Sequence, residues 1–309
     1  MFIRDCIHTT RVLLRRGKRI LEAPDGRESV RFKDRSGTIR YLPIPDDVKK
    51  GQDYEEGRVK HVGISVRTAM ADGPDTPIAL EYLATMVDRQ ERAGADYLDL
   101  NVDEVSLKPE EQQEAMAWLA GMVQDTGSTP LSIDSSNSDT INTGLEVVDA
   151  DRSGRPLLNS ASLERITVLD HVKQFDARVV VTAAGASGMP SGANERVDNA
   201  TRIIESALSK DIELKDIFVD PLVFPISVDI EFGNHCLEAI NKIRNRFGPD
   251  IHITGGFSNV SFGMPQRRLI NDVFLLLALQ SGADSGIVDP VTSRLEEVLG
   301  MDRSSVRYA

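Results

Sequence analysis

The stretch DYLDLNVDEVSLKPEEQQEAMAWLAGMVQDTGSTPLSID, residues 96–134, contains the repeat from which the fold can be predicted. DYLDLN (96–101) is a short, largely apolar run typical of a buried strand. Pro109 begins and Gly127 ends the amphipathic segment that follows, and both residues are favoured at those helix positions. PLSID (130–134) then begins another strand. A strand, a helix and a strand in this order predict two parallel strands joined by a crossover helix.

The same alternation of short apolar strands and amphipathic helices recurs along the chain. Eight strand candidates follow one another, at residues 61–66, 96–101, 130–134, 155–160, 177–183, 216–220, 251–254 and 284–289. Eight consecutive β–α units predict an α/β fold, the (β/α)8 TIM barrel. The alternative is an open doubly wound sheet, which would need a nucleotide fingerprint. No G-x-G-x-x-G follows the first strand candidate and no Walker loop occurs, so the barrel is favoured.

Residues 1–60 differ from the rest of the chain. Short alternating pieces, SVRF and TIRYLP, surround the turn signals PDG (24–26) and RSG (35–37). This pattern predicts a helix-like start followed by β-hairpins. We therefore predict an N-terminal extension containing short strands at 1–60 and the barrel at 61–309.

Charge and cysteine content exclude several classes of protein. Residues 1–60 hold 15 basic and 10 acidic side chains, whereas the remainder holds 21 and 38. So acidic a body argues against general nucleic-acid binding, which needs a basic face. No apolar run is long enough to span a bilayer, and we expect neither a membrane segment nor a secretory signal. Two cysteines build no disulfide framework, which favours the cytoplasm.

Polar side chains stand at the carboxyl ends of the predicted strands, where TIM barrels carry their chemistry. They are Asp99, Asn101, Asp134, Asn159, Thr182, Asp220, Ser258, Asn259 and Asp289. Any one of them could instead cap a helix or satisfy a turn. Together they are rich in carboxylates and amides, and the five histidines show no metal spacing, so no metal is predicted. An Asp carboxylate can accept hydrogen bonds from two N–H groups, and an Asn amide can hydrogen-bond to a carbonyl and to an adjacent N–H at once. These side chains therefore suggest a pterin-like or purine-like heterocycle as the ligand.

One strand-end loop lacks the usual groups of acid–base catalysis. ITGGFSNVSFGMPQRRLIND (253–272) passes from a strand through two glycines and a polar loop into a helix that opens at Pro265. This layout is also that of a phosphate cradle or a catalytic corner. No His, Cys, Lys or carboxylate lies between Thr254 and Pro265, so any chemistry here depends on Ser258 and Asn259.

Five motifs in order resemble those of the pterin-binding methyltransferases. These motifs are YLDLNVDE, LSIDSSN, PLLNSAS, IFVDPLVFP and GGFSNVSFGMPQRRLINDVFLLLALQSGADSGIVDP. The family includes methyltetrahydrofolate:corrinoid methyltransferases and the folate domain of cobalamin-dependent methionine synthase. The resemblance covers roughly residues 61–290 and implies the same barrel. One departure is the first strand, which in the family reads like GERIN and is here matched to GISVR (63–67).

The resemblance also implies roles for individual residues. Asp134, Asn159 and Asp220 match the residues that bind the pterin ring. Asn259 matches the asparagine beside N5, where the methyl group sits, and is the catalytic candidate. Asn101, Ser258 and Arg267 are further candidates for folate binding.

The activity implied is methyl transfer between a corrinoid and N5 of tetrahydrofolate. The favoured direction is from a methylcorrinoid to tetrahydrofolate in a catabolic demethylation system, with a homodimer as the working form. The pattern D-x-H-x-x-G occurs once, as DIHITG (250–255), but it lies in a predicted barrel strand and no residues remain for a cobalamin domain. Cobalamin is therefore expected on a separate corrinoid protein. Three alternatives stay open: the reverse direction in acetyl or methionine synthesis, a non-catalytic pterin-binding protein, and a dihydropteroate synthase. The last should carry a lysine and an SRK-type segment where DPLVFPISVD and FSNVSFG stand.

Overall fold

The computed structural model describes residues 2–287, and the chain divides into two compact units. One unit comprises residues 5–154, and the other comprises residues 1–4 with the chain from 155 onward. Strand β1, Phe2–His8, contributes residues to both. The predicted strand end at Asp289 lies outside the described residues.

The first 60 residues form the short strands that the turn signals predict, but the predicted helix-like start is wrong, because the chain begins with strand β1. β3, β4 and β5 build an antiparallel meander, while β2 pairs antiparallel with β6. Gly26 and Gly37 adopt φ of 81° and 87° at the two hairpin turns, a left-handed conformation that glycine adopts without steric cost. The elements are β2 (Leu13–Leu14), β3 (Ile20–Glu22), β4 (Glu28–Lys33), β5 (Ile39–Pro43), α1 (Asp46–Lys49), α2 (Gln52–Glu55) and β6 (Arg58–Val59).

The rest of the unit of residues 5–154 alternates helices with parallel strands. Its elements are α3 (His61–Met70), α4 (Thr76–Arg92), β7 (Tyr97–Asn101), α5 (Pro109–Thr126), β8 (Leu131–Asp134), α6 (Ser138–Val147) and α7 (Ala150–Ser153). Every residue of β7 is buried, which explains why the run is largely apolar. β7 and β8 pair in parallel with Asn101 opposite Asp134.

The second unit continues the β–α alternation. Its elements are β9 (Leu157–Ala161), α8 (Leu169–Gln174), β10 (Arg178–Thr182), α9 (Ala193–Ser209), β11 (Ile217–Asp220), α10 (Glu231–Phe247), β12 (His252–Ile253), α11 (Arg267–Ser281) and β13 (Gly286–Ile287). Short 3₁₀ turns cover Ile166–Val168, Leu214–Asp216 and Phe257–Ser261. The strands β9 to β12 pair in parallel in chain order, and Thr182 lies opposite Asp220. β1 pairs in parallel with β13 through Phe2 and Ile3.

The predicted first barrel strand, HVGISV at 61–66, is wrong. His61–Met70 is a helix in which seven residues are buried. The run 61–66 is apolar because all six of its residues are buried, and so short an apolar run does not distinguish a buried helix from a strand. The first parallel strand is β1. The boundary predicted between residues 60 and 61 stays a prediction, but the segment before it supplies this strand.

Two helical glycines in the first unit should respond oppositely to alanine. A Cβ at Gly144 would lie 2.6 Å from Ile133 Cγ2 and 2.8 Å from Met116 Cγ, whereas one at Gly121 would lie 3.7 Å from Val147 Cγ1. Gly144→Ala is therefore expected to cost about 1–3 kcal/mol through overpacking. Gly121→Ala, in the interior of α5, is expected to raise the free energy of unfolding by about 0.5–1 kcal/mol. Urea unfolding measures both, and a stabilised Gly144→Ala would contradict the close packing of α5, α6 and β8.

Among residues 2–287, no helix combines the length and the apolarity required to cross a membrane.

Candidate functional site

Asn101 and Asp134, both predicted from the sequence, meet at the carboxyl ends of β7 and β8. Asn101 Nδ2 donates to Asp134 Oδ2 at 2.9 Å. The amide is held in this orientation because its Oδ1 accepts the backbone N–H of Asp103 at 3.0 Å. The capping alternative for Asp134 is not what the structure shows, since Asn137 caps α6 by accepting the N–H of Asp139. The carboxylate of Asp134 is thus oriented by Asn101 on the adjacent strand β7.

Sequence reasoning missed His8, which ends β1. Its Nε2 lies 2.8 Å from Asp99 Oδ2 and 4.0 Å from Asp134 Oδ2. Because the apolar run at 61–66 was interpreted as the first strand, no strand-end polar group was predicted within residues 2–8. The available signal was a short strand-like run that ends on His8 and is followed by two threonines.

His8, Asp99 and Asp134 also have the donor atoms of a metal site. One atom from each lies within 4.8 Å of the others, which makes them a group in the described part of the chain that could hold a cation. The distance between His8 and Asp99 is that of a hydrogen bond. The expectation that the protein binds no metal stays a prediction.

The carboxyl group of Asp134 is hard to ionise. Burial raises its pKa to about 7, and the negative charge of Asp99 acts in the same direction. His8 and the hydrogen bond from Asn101 oppose this rise. Desolvation and a like charge are the usual causes of a raised carboxyl pKa, and such groups concentrate at functional sites.

In the second unit, Asn159 and Asp220 occupy the carboxyl ends of their strands. Asn159 lies in β9 and is 8% exposed. Asp220 ends β11, and its Oδ1 accepts the backbone N–H of Leu222 at 2.8 Å, so the predicted turn at Asp220 is part of its role. Burial raises the pKa of Asp220 to about 6, while the Leu222 hydrogen bond and the charge of Arg196 act against the rise.

The loop that carries Asn259 is a 3₁₀ turn after two glycines. A Cβ at Gly255 would lie 3.3 Å from Asp220 Oδ1, and one at Gly256 would lie 3.0 Å from Asn259 Nδ2. The two glycines therefore allow both polar side chains to approach the same short piece of backbone. Asn259 itself is exposed, so its amide is accessible from solvent.

Arg267, predicted near the folate, bonds to the loop that holds Asn259. Its Nε donates to Ser261 Oγ at 3.0 Å and its Nη2 donates to the carbonyl oxygen of Ser258 at 3.2 Å. The guanidinium also lies over the ring of Phe262, 5.0 Å from its centroid. These contacts fix the 3₁₀ turn. The helix begins at Arg267 rather than at the predicted Pro265.

Comparison with known proteins relates this chain to pterin-binding enzymes. The profile of the family described as "Pterin binding enzyme" matches residues 76–289. The chain is 29% identical over 232 residues to the methylcorrinoid:tetrahydrofolate methyltransferase of Eubacterium limosum, covering 71% of this chain and 83% of that protein. It is 30% identical over 214 residues to methionine synthase of Mycobacterium tuberculosis, covering 64% of this chain but only 17% of that protein.

Solved structures support the fold. The chain resembles dihydropteroate synthase from Xanthomonas albilineans with a TM-score of 0.57 and 17% identity, over 72% of this chain and 83% of that one. Dihydropteroate synthase from Thermus thermophilus gives a TM-score of 0.55 and 18% identity, over 72% and 87%. The predicted α/β fold, a (β/α)8 TIM barrel, is confirmed. Because the family profile covers more than half of the sequence, this chain belongs to the pterin-binding enzyme family.

Proposed function

We propose that the protein is a tetrahydrofolate- and corrinoid-dependent methyltransferase that moves a methyl group from a methylcorrinoid to N5 of tetrahydrofolate. The observation that carries this proposal is the similarity to a methylcorrinoid:tetrahydrofolate methyltransferase over 83% of that protein's length. The strand-end side chains support it, because they offer the carboxylates and amides that an amino-pyrimidinone ring requires.

The proposed contacts divide between binding and methyl transfer. Asp134 and Asp220 accept N–H groups of the pterin, and Asn159 meets the ring through its amide. Asn101 orients Asp134 through the 2.9 Å hydrogen bond. Ser258 and Arg267 are retained as folate-binding candidates, and the contacts of Arg267 favour a supporting role for it.

Asn259 is proposed to act directly at N5. Its amide can accept from the N5–H of tetrahydrofolate and hold the N5 lone pair in line with the incoming methyl group. The new N5–C bond would form as the Co–C bond of the methylcorrinoid breaks and leaves its electron pair on cobalt, and N5 would then release its proton to water. In the reverse direction, N5 must gain positive character before the methyl group leaves, and the Asn259 N–H can stabilise that change. No carboxylate, lysine or histidine of the loop is needed in either direction.

The partner and the setting follow from the same proposal. Cobalamin is carried by a separate corrinoid protein, which brings the methyl group to the strand-end loops. We also propose a cytoplasmic homodimer, on the basis of the family resemblance and the small number of cysteines.

An anaerobic assay with purified protein, tetrahydrofolate and methylcobalamin tests the proposal. The methylcobalamin absorption band should disappear, and methyltetrahydrofolate should form in equal amount. Starting from methyltetrahydrofolate and reduced cobalamin measures the opposite direction. A protein that binds no tetrahydrofolate by calorimetry would overturn the proposal.

A further inference from the structure

Arg196, in the first turn of α9, is a fully buried cation. Arginine is almost never fully buried unless its charge is paired, because an ionised group is costly to remove from water. Its Nη2 nevertheless has no hydrogen-bond partner within residues 2–287. The fold therefore keeps a guanidinium at this position although an apolar side chain of similar volume would avoid that cost.

The guanidinium joins the start of α9 to the segment that follows β11. Its Nη1 donates to the carbonyl oxygen of Gly192, the N-cap residue of α9, at 3.1 Å. Its Nε donates to the carbonyl oxygen of Leu222 at 3.4 Å. It also lies over the ring of Phe224, 4.7 Å from the centroid. Three contacts with different groups thus fix the guanidinium beside the end of β11.

Leu222 connects Arg196 to a candidate pterin-binding carboxylate, that of Asp220. The φ of Leu222 is 67°, a left-handed conformation that is sterically unfavourable for a residue with a Cβ. In this conformation its N–H donates to Asp220 Oδ1 at 2.8 Å, and its carbonyl oxygen accepts from Arg196. The two hydrogen bonds of this one residue hold its unfavourable backbone and link Arg196 to Asp220.

The link leaves the second oxygen of Asp220 to a ligand. The bond from Leu222 to Oδ1 is the one hydrogen bond of the Asp220 side chain within residues 2–287, so Oδ2 is the acceptor for an N–H of the pterin. The charge of Arg196 favours this role, because it opposes the rise that burial causes in the pKa of Asp220. Cys236 of α10 interacts with both charges, but burial raises its pKa to about 12, so the thiol stays neutral.

We propose that Arg196 is a positioning residue for folate binding: it holds Leu222 so that the Leu222 N–H fixes Oδ1 of Asp220 and Oδ2 is directed to an N–H of the pterin. This inference rests on the proposed function, since it takes Asp220 as a folate contact. It adds a buried helix residue to the strand-end set. Because Arg196 acts through Asp220, its removal should matter only while Asp220 is able to bind.

The test compares Arg196→Met with the wild type and with a matched control, Arg244→Met. Arg244 also donates its guanidinium N–H groups to backbone carbonyls of the same unit, those of Gly248, Ile251 and Gly282. None of these residues is a candidate for folate binding. In anaerobic calorimetry, Arg196→Met should weaken tetrahydrofolate binding by about tenfold, whereas Arg244→Met should leave the affinity unchanged.

The rate of methyl transfer separates positioning from catalysis. At saturating tetrahydrofolate, single-turnover transfer from methylcobalamin should be as fast in Arg196→Met as in the wild type, because Arg267 holds the turn that carries Asn259. The variant should therefore show a raised KM with an unchanged kcat. A fall in the saturated rate with the affinity retained would overturn the proposal.

A double-mutant cycle with Asp220→Asn separates this role from a structural one. In that background, Arg196→Met should weaken binding further by less than about threefold, since the carboxylate that Arg196 positions is gone. An equal loss in both backgrounds would show that Arg196 does not act through Asp220. Arg196→Gln, which keeps an N–H donor, replaces Arg196→Met throughout if circular dichroism shows that the latter is misfolded.

The outcomes distinguish this inference from the proposed function. If the wild type binds tetrahydrofolate and Arg196→Met binds it equally well, the role of Arg196 is overturned and the methyltransferase stands. An equal loss in Arg244→Met overturns it as well, because the effect then belongs to any guanidinium that bonds to the backbone. If the wild type binds no tetrahydrofolate, the proposed function itself fails and the inference fails with it.

Discussion

Asn259→Ala is expected to lower the rate of methyl transfer by about 10²–10³-fold, the effect typical of removing one preorganised hydrogen-bonding group from a reacting centre. The affinity for tetrahydrofolate should change little, because the ring is proposed to be held by Asp134, Asn159 and Asp220. The turn itself should persist. Arg267 anchors it through Ser258 and Ser261, and none of these contacts uses the Asn259 side chain.

Single-turnover kinetics and calorimetry on the same protein separate the two effects. Asn245→Ala is a matched control, since Asn245 is an exposed asparagine of α10 whose amide donates to Asn241 within the same helix. It should transfer methyl groups at the wild-type rate. Wild-type turnover by Asn259→Ala would remove Asn259 from the mechanism, whereas loss of folate binding would make it a binding residue.

Asp220→Asn is expected to weaken tetrahydrofolate binding by roughly 10–100-fold, since a charge-assisted hydrogen bond contributes about 1.5–3 kcal/mol. The same change should stabilise the folded protein at neutral pH. The folded-state pKa of about 6 lies above the ordinary value of 3.8, so Asp220 favours the folded state at low pH. That contribution is lost as the pH rises through 6. An asparagine does not ionise and so avoids this loss. Asp220→Asn should therefore raise the free energy of unfolding by about 1–3 kcal/mol at neutral pH.

Urea unfolding at about pH 5 and about pH 7.5 provides the measurement, on either side of the folded-state pKa. The gain in the free energy of unfolding should be about half as large at pH 5 as at pH 7.5, because pH 5 lies between the ordinary pKa of 3.8 and the folded-state pKa of about 6. Folate affinity should be reduced at the higher pH. The N–H of Leu222 retains its acceptor in the variant, because the amide keeps an oxygen at the position of Oδ1. Asp250→Asn, at an exposed position before β12, is the control and should alter neither quantity. Destabilisation at the higher pH would contradict the raised pKa.

The sequence predicted strands well where buried runs are bounded by turn residues. Strand candidates at 96–101 and 216–220 differ from β7 and β11 by one residue, because each is a compact apolar run that ends on a polar side chain. β1 was missed since Arg4 and Asp5 interrupt its apolar character. The start of the helix at 61–70 resembles a strand for the opposite reason, since the burial of all six residues 61–66 removes the helical periodicity there.

The candidate site could likewise be predicted only in part from the sequence. The alignment of Asn101 with Asp134 could be anticipated from their positions at the ends of consecutive parallel strands. The contact between His8 and Asp99 joins residues 91 apart in sequence, and it depended on knowing which strand comes first. The bonds from Arg267 to its own loop could not be anticipated either, because they require the path of a turn that no sequence periodicity encodes.

The position of β1 bears on how the protein can be shortened. A fragment that starts at residue 76, where the match to the family profile begins, would lack both β1 and His8. Gly286 and Ile287 would then lose their partners Phe2 and Ile3 and present open hydrogen-bonding groups along a strand. Open strand edges recruit other chains, so a trimmed fragment is expected to aggregate. The whole of β1, Phe2–His8, should be kept intact in any shortened form made for crystallisation or for assay.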